Sequence, residues 1–235
     1  MKNKFLKGAH LSERKFKEIL KLFSEDLTAT QIASISGVSR VTVNSYLKKI
    51  RSQIVKSCEE TSPVPVHSLP KIIHAKQPVL QHDGDVEDDA LRLNVERNNR
   101  PVIFGIYHLD SQVFTEIIPD ISRSMIQAVV RGRSILETVG TADRIRKYNG
   151  VVDLGQYRLY HLPGQHLVGA HHQHIIDDVD GFWILTKHRL AKFKGLNRNT
   201  VYLHLKECEF RYNHRTRDLY NVLLDLLKNY PLNLS

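Results

Sequence analysis

Residues 175–195 read I-I-D-D-V-D-G-F-W-I-L-T-K-H-R-L-A-K-F-K-G. At 3.6 residues per turn, Val179, Phe182, Trp183, Thr186, Leu190 and Phe193 fall in one largely apolar stripe, and Asp180, Ile184, Lys187 and Ala191 line the flank beside it. The spacing predicts an amphipathic helix that docks on a core by its stripe and carries an acid, Asp180, and a base, Lys187, on one side. A carboxylate and an ammonium so placed can face one cleft. A solvated helix whose charges only keep it soluble is the plainer reading of that pair taken alone.

The flanking sequence favours a packed domain. Downstream, residues 197–215 and 217–230 predict two further helices. Upstream, P-V-I-F-G-I-Y-H and Q-V-F-T-E-I-I-P (101–108 and 112–119) are rich in β-branched and aromatic residues, and the short L-D-S between them predicts a hairpin. Residues 121–131, with Ser122 as a cap, predict a helix, and 134–140 another strand. Strands followed by helices give an α/β domain over 79–235. Asp143 then stands at a strand's carboxyl end, where ligand sites in open α/β sheets lie.

The first quarter of the chain has a different character. Residues 1–58 hold 12 Lys and Arg against 4 Asp and Glu, while the remainder holds 22 against 21, so nearly all of the net charge of +9 sits at this end. A polyanion is the partner such a footprint attracts. Leu11, Phe16, Ile19, Leu20 and Phe23 recur at helical spacing, Thr28 or Thr30 can cap a short helix through Ile35, Gly37 supplies a tight turn, and a third helix begins at Ser39. In that third helix Val41, Val43, Tyr46, Leu47 and Ile50 alternate with polar residues.

Short helix, glycine turn and polar helix make the helix-turn-helix pattern. The stretch T-A-T-Q-I-A-S-I-S-G-V-S-R-V-T-V-N-S-Y-L (28–47) resembles the helix-turn-helix of bacterial transposases and recombinases. Arg40, Thr42, Asn44 and Ser45 are the candidates for base-edge or phosphate contact, with Lys48 and Lys49 as further DNA-binding positions. A plain three-helix protein-binding module is the alternative. Residues 57–78 hold Pro63, Pro65, Pro70 and Pro78 among Ser, Thr and Glu and predict an extended linker. The expected division is thus a helix-turn-helix domain over 1–56, a linker over 57–78 and the α/β domain over 79–235, the first and last as separate bodies.

Composition excludes several classes. With only Cys58 and Cys208, neither a disulfide framework nor a cysteine zinc site is supported, as expected of a reducing, cytoplasmic setting. No apolar run approaches the roughly 20 residues that span a bilayer, so secretion and membrane insertion are not expected.

Four blocks carry a more specific likeness: V-F-T-E-I-I-P-D, D-R-I-R-K-Y-N-G-V-V-D-L-G, D-G-F-W-I-L-T-K-H-R-L-A-K-F-K-G and Y-L-H-L-K-E-C-E-F-R-Y-N-H-R. In this order they resemble the catalytic domain of small bacterial insertion-sequence transposases of the DDE class, over about residues 79–215. The resemblance implies a ribonuclease H-like α/β fold with one Asp on its first strand, a second after its fourth strand, and a third acid, usually Glu, on a late helix. Asp143, with Arg146 and Tyr148 after it, matches the second position. Asp180, directly before Gly181-Phe182-Trp183, stands at the third, and Lys187 at the family's helix Lys. Asp83 fits the first position best, with Asp85 as substitute, although the aromatic, the glycines and the basic loop that should follow are missing. Asp in place of Glu at 180 is a second departure and shortens the reach by one methylene.

What this implies is Mg²⁺-dependent nicking and strand transfer, with Mn²⁺ as a substitute ion. Asp83, Asp143 and Asp180 are the implied metal ligands, Lys187 and Arg146 would hold phosphate, and the protein would act as a homo-oligomer on double-stranded DNA at inverted-repeat ends and target sites in a bacterial nucleoid. Hard carboxylate oxygens suit Mg²⁺, which charge-compensates phosphoryl oxygens during hydrolysis. A catalytically inactive, transposase-derived DNA-binding protein is the rival reading. A hydrolase using a metal held by His166, His171, His172 and His174 lacks the H-E-x-x-H spacing; these histidines are expected in a loop before the late helix. The acidic run Asp83, Asp85, Glu87, Asp88, Asp89 departs from a calcium loop where its glycine and last glutamate belong.

Overall fold

Ser12, Thr28 and Ser39 each stand one residue before a run of helical periodicity, and each caps a helix. The computed structural model describes residues 6–7, 11–63, 103–118, 148–153, 158–161, 171–193 and 198–233. Helix α1 (Glu13–Ser24) starts where the Ser12 hydroxyl accepts from the Lys15 N–H, and α2 (Ala29–Ser36) starts in a capping box shared by Thr28 and Gln31. Gly37 ends α2 at φ +69, a left-handed turn that a side chain would strain. Ser39 then opens α3 (Arg40–Thr61) by accepting from the Thr42 N–H at 3.1 Å.

Strands β2 (Ile103–Leu109) and β3 (Gln112–Ile118) form the expected hairpin, turning through Asp110 and Ser111 at φ +49 and +61. Two successive left-handed residues give the mirror-image turn whose twist suits a two-residue hairpin. Strands β4 (Gly150–Asp153) and β5 (Arg158–His161), which the sequence reading does not separate out, complete a sheet of order β3-β2-β4-β5. Ile103 lies opposite Asp153 in β2 and β4, and Gly150 opposite His161 in β4 and β5, both pairs antiparallel. The described architecture is therefore helices with a small antiparallel sheet, compatible with an α/β fold. The helix expected at 121–131 and the strand expected at 134–140 lie outside the described residues.

Three helices follow: α4 (His171–Ala191), α5 (Arg198–Asn213) and α6 (Leu219–Asn229). Two-residue strands β1 (Leu6–Lys7) and β6 (Leu232–Asn233) pair in parallel, Leu6 against Leu232.

The chain folds into two compact units, one of Met1–Val64, His108–Thr115 and Asp177–Ser235, the other of Pro65–Tyr107 and Glu116–Ile176. Sequence composition divides the chain at other points, into 1–56, 57–78 and 79–235. Helix α3 continues to Thr61, and Phe16, Leu20, Ile32, Leu47 and Ile54 share one hydrophobic core with Phe210, Leu223 and Leu227. The physical reason is that α3 has more apolar surface than α1 and α2 can cover. Ile54, Val55 and Cys58 on its C-terminal half are buried in the folded chain.

Helix α5 lies at the centre of this unit. Every residue from His204 to Tyr212 is buried, polar and charged ones included. Glu207 makes that burial tolerable for its neighbours: it accepts from Arg51 Nε of α3 at 2.7 Å, Arg189 of α4 at 2.6 Å and Arg211 of its own helix at 2.9 Å. Burial by itself would raise the Glu207 carboxyl; the charges of Arg189, Arg51 and Arg211 outweigh it and hold the group well below the usual carboxylate range. Arg211 also donates to the Ser24 carbonyl at 2.9 Å, closing the C-terminal end of α1. Asp26, left-handed at φ +65 just beyond α1, pairs with Arg189 and with Lys192.

A second polar set closes the free side of β3. The Asn213 amide accepts from the Val113 N–H and donates to the Val113 carbonyl, both at 2.8 Å, as a neighbouring strand would. Glu209 accepts from the Thr115 N–H and hydroxyl, and Lys206 bridges Glu209 to the Thr115 carbonyl. Edge strands are managed by such covers.

His204 supplies a pH-dependent contribution. Its ring packs on Phe193 with centroids 4.1 Å apart, and burial first, then the charge of Arg51, push it down to about 4. A histidine kept neutral in the folded state stabilises above its unfolded value near 6.5, and the contribution is lost as pH falls from there towards 4. The window is worth on the order of 3 kcal/mol. Melting temperature should therefore drop between pH 6.5 and 5 in the parent and drop less in His204→Phe, which keeps the ring and removes the titration. Equal slopes in the two proteins would refute this assignment.

Candidate functional site

Two helix faces carry the residues singled out from the sequence, and both lie in the unit built on α5. The first is on α3. Val43, Tyr46, Leu47 and Ile50 are buried, which turns Arg40, Val41, Asn44, Ser45 and Lys48 outward over an arc of about 140°. Four of the six proposed DNA-contacting residues of this helix are thus exposed together. Thr42 is not among them: half-buried, it lies 2.8 Å hydroxyl to hydroxyl from Ser39 and takes part in the cap. Lys49 is half-buried at the arc's border. Val41, grouped with the apolar side from its sequence alternation, is 80% exposed. Its spacing to Val43, two residues, is 200° on a helix, so alternation misplaces it.

The second face is on α4. Val179, Phe182, Trp183, Thr186 and Leu190 are buried as the stripe predicts, Ile184 is 57% exposed, and Lys187 and Ala191 are exposed. Asp180 is half-exposed and sits about 10 Å along the axis from Lys187 on the same side. The helix is fixed from behind. At Gly181 a side chain would come within 3.2 Å of the Tyr212 hydroxyl, which instead donates to the Asp178 carbonyl oxygen at 2.9 Å. The Phe182 and Tyr212 rings meet edge to face at 5.5 Å. The neighbouring acid Asp178 has structural partners: His108 Nε2 at 2.8 Å, the Tyr212 hydroxyl at 3.1 Å and Arg215 at 3.4 Å. Burial, then the Asp178 charge, raises the Tyr212 phenol to about 12, so it stays protonated. Of the acids in I-I-D-D-V-D, Asp178 anchors the helix.

Asp83, Asp85, Asp143, Arg146 and His166 lie outside the described residues. Tyr148, third residue of the Asp143-Arg146-Tyr148 pattern, is described. Its ring covers Gly105, where a side chain would meet it at 2.5 Å, and its hydroxyl donates to the buried Glu116 carboxylate. Tyr148 thus anchors the start of β4 against β2, and Asn149 N–H donates to the Ile106 carbonyl at 2.8 Å. His171, His172 and His174 begin α4 and are not in a loop before it; their side chains lie outside the described residues. Among the described residues no group of three or more His, Cys, Asp or Glu is placed to hold a metal ion. Asp180 is the one member of the implied set that is described, so a metal site there depends on Asp83 and Asp143.

The sequence reading missed Glu207 and Asp178. Both have partners far away in the chain, and no local pattern marks them. Cys58 and Cys208 are free and buried. Among the described residues no helix is long and apolar enough to cross a membrane.

In class, the described part of the chain is helices, two of them with exposed polar faces, and a small antiparallel sheet. The chain is similar to an uncharacterized transposase-like protein of Haemophilus influenzae, 25% identical over 118 residues that make up 50% of this chain and 94% of that protein. The likeness is distant and transposase-related. No protein family model matches the chain, and no solved structure matches it.

Proposed function

We propose that this protein is an insertion-sequence transposase of the DDE kind, with a ribonuclease H-like catalytic domain, acting on double-stranded DNA in the bacterial cytoplasm. The observation that carries the reading is the outward face of α3, Arg40, Asn44, Ser45 and Lys48 behind a left-handed Gly37 turn, in a chain similar to a transposase-like protein. This arc presents hydrogen-bonding groups and a charge to a major groove. Asp180 and Lys187 on α4 form the described half of the catalytic face, Asp83 and Asp143 the other acids, and Arg146 a phosphate contact. Mg²⁺, or Mn²⁺ in its place, held by these carboxylates would compensate charge at the phosphoryl oxygens. Two ends must be joined to one target, which calls for a homo-oligomer on the DNA. The rival reading, a DNA-binding protein without catalysis, draws on the shorter acid at Asp180.

The test is the full chain on a supercoiled plasmid carrying the DNA that flanks its gene, with Mg²⁺. Nicks at the margins of a short inverted repeat are expected, absent without metal and absent in Asp143→Ala. Binding without nicking would select the rival reading.

Binding itself should weaken steeply with salt, by about 0.9 log unit per log unit of salt for each phosphate neutralised. Arg40→Ala and Asn44→Ala should relax sequence preference, whereas Lys48→Ala should weaken all sequences alike and lower the salt slope by about one. Titrations at several salt concentrations read both. A salt-independent affinity, equal for all duplexes, would refute the assignment of this face.

A further inference from the structure

We propose that Val41 reads the 5-methyl group of a thymine in the major groove and is a specificity-determining residue of this protein. The inference rests on the DNA-binding reading of α3 and goes beyond it, since nothing in the sequence pattern marks Val41 as a contact residue.

A single exposed apolar side chain is ordinary on a protein surface. Val41 differs by its position. It is 80% exposed in the first turn of α3 and lies inside the arc of Arg40, Asn44, Ser45 and Lys48, one turn before Asn44 and Ser45. A β-branched residue there contributes little to the helix, because its side chain loses rotamer freedom and stands mostly in solvent. Ser39 and Thr42 already supply the cap, so helix initiation does not require it.

The surrounding chemistry selects the occupant. The arc belongs to the basic quarter of the chain, with 12 Lys and Arg against 4 Asp and Glu over residues 1–58, and so suits a polyanion. On the major-groove edges of the four base pairs the thymine methyl is the bulky apolar group; cytosine offers only a C5–H at the same place, and the groups beside it are donors and acceptors. Asn44 and Ser45 match donors and acceptors; Val41 matches only the methyl. Lys48, two turns on, falls where a helix lying in the groove leaves it towards phosphate.

The experiment uses the full chain. A random-sequence duplex library is selected for binding, and the enriched duplex is remade with each thymine in turn replaced by uracil, which removes only the methyl. At one or two positions uracil should weaken the parent about fourfold, the worth of one buried methyl group. In Val41→Ala, too short to reach, uracil and thymine should bind alike at those positions. Val41→Thr, which keeps one methyl, should retain part of the discrimination. Unchanged melting temperatures of both variants show that the exposed position does not alter folding. The proposal is overturned if the parent is indifferent to uracil throughout, or if Val41→Ala keeps the full methyl preference. If no duplex is enriched and binding does not depend on salt, the DNA-binding reading fails and takes this inference with it.

Discussion

Glu207→Ala is expected to cost about 3–5 kcal/mol of folding free energy, the usual penalty for removing one member of a buried ion pair. The reason is what remains. Arg51, Arg189 and Arg211 are each at least nine-tenths or nearly so out of water and all donate to this carboxylate, so its loss leaves several buried charges without compensation. Asp26 partly balances Arg189, but Arg51 and Arg211 have no second carboxylate among the contacts described above. Domains are stable by about 5–15 kcal/mol, so the loss takes a large share of the total. Glu207→Gln keeps the shape and still lacks the charge, and it should fall close to alanine. Urea unfolding of parent and variants at pH 7 measures this through the midpoint, and a loss below about 1 kcal/mol for both would show that the arginines find other partners. Acid should act in the same direction. A carboxyl held below its unfolded value stabilises above about pH 4.5 and loses that contribution as pH falls towards its folded value.

Asp180→Ala is expected to leave stability within about 0.5 kcal/mol, as for most surface substitutions, and to abolish nicking. Asp180 lies on the half-exposed flank of α4, while Val179, Phe182 and Trp183 hold the helix, so the side chain is removed without opening the core. If it is one of the acids that hold the metal ions compensating charge at the reacting phosphate, a loss of several kcal/mol of transition-state stabilisation corresponds to about a thousandfold in rate. Asp180→Glu restores the longer reach that the resemblance implies and should match or exceed the parent. Lys187→Ala should weaken use of the DNA end more than the chemical step. Nicking measured under single-turnover conditions separates these outcomes, and parental rates in Asp180→Ala would remove α4 from the catalytic assignment.

The sequence exposes those features whose cause is local. Caps at Ser12, Thr28 and Ser39 are each formed with the residue three positions on, the Asp110-Ser111 turn by its own backbone angles, and the stripe of α4 by helical periodicity. Features caused at a distance are hidden. The segment L-K-E-C-E-F-R (205–211) has the composition of a solvated helix, yet it is buried because Arg51, Arg189 and Thr115 arrive from elsewhere to match its charges. Val41 was hidden for a related reason: strict alternation in sequence mimics burial, and only the phase of Val43, Tyr46 and Leu47 decides it. The exposed or half-exposed positions of Asp180, Lys187, Arg40, Asn44, Ser45 and Lys48 follow from helical phase, which the sequence carries. Thr42 was not, since its neighbour Ser39 takes it into the cap.

The shared core of α1–α3 with α5 and α6 also constrains how the chain can come off the ribosome. Arg51 must wait 156 positions for Glu207, and Leu6 even longer for Leu232. Until that late segment emerges, the basic first quarter has its helical signals in place but only part of its interior, with Ile54 and Cys58 awaiting cover. Contacts of such separation slow folding and leave apolar surface accessible to chaperones and to aggregation meanwhile. On the DNA-binding reading of α3, a chain that stops before residues 198–233 is expected to bind duplex DNA more weakly than the full chain.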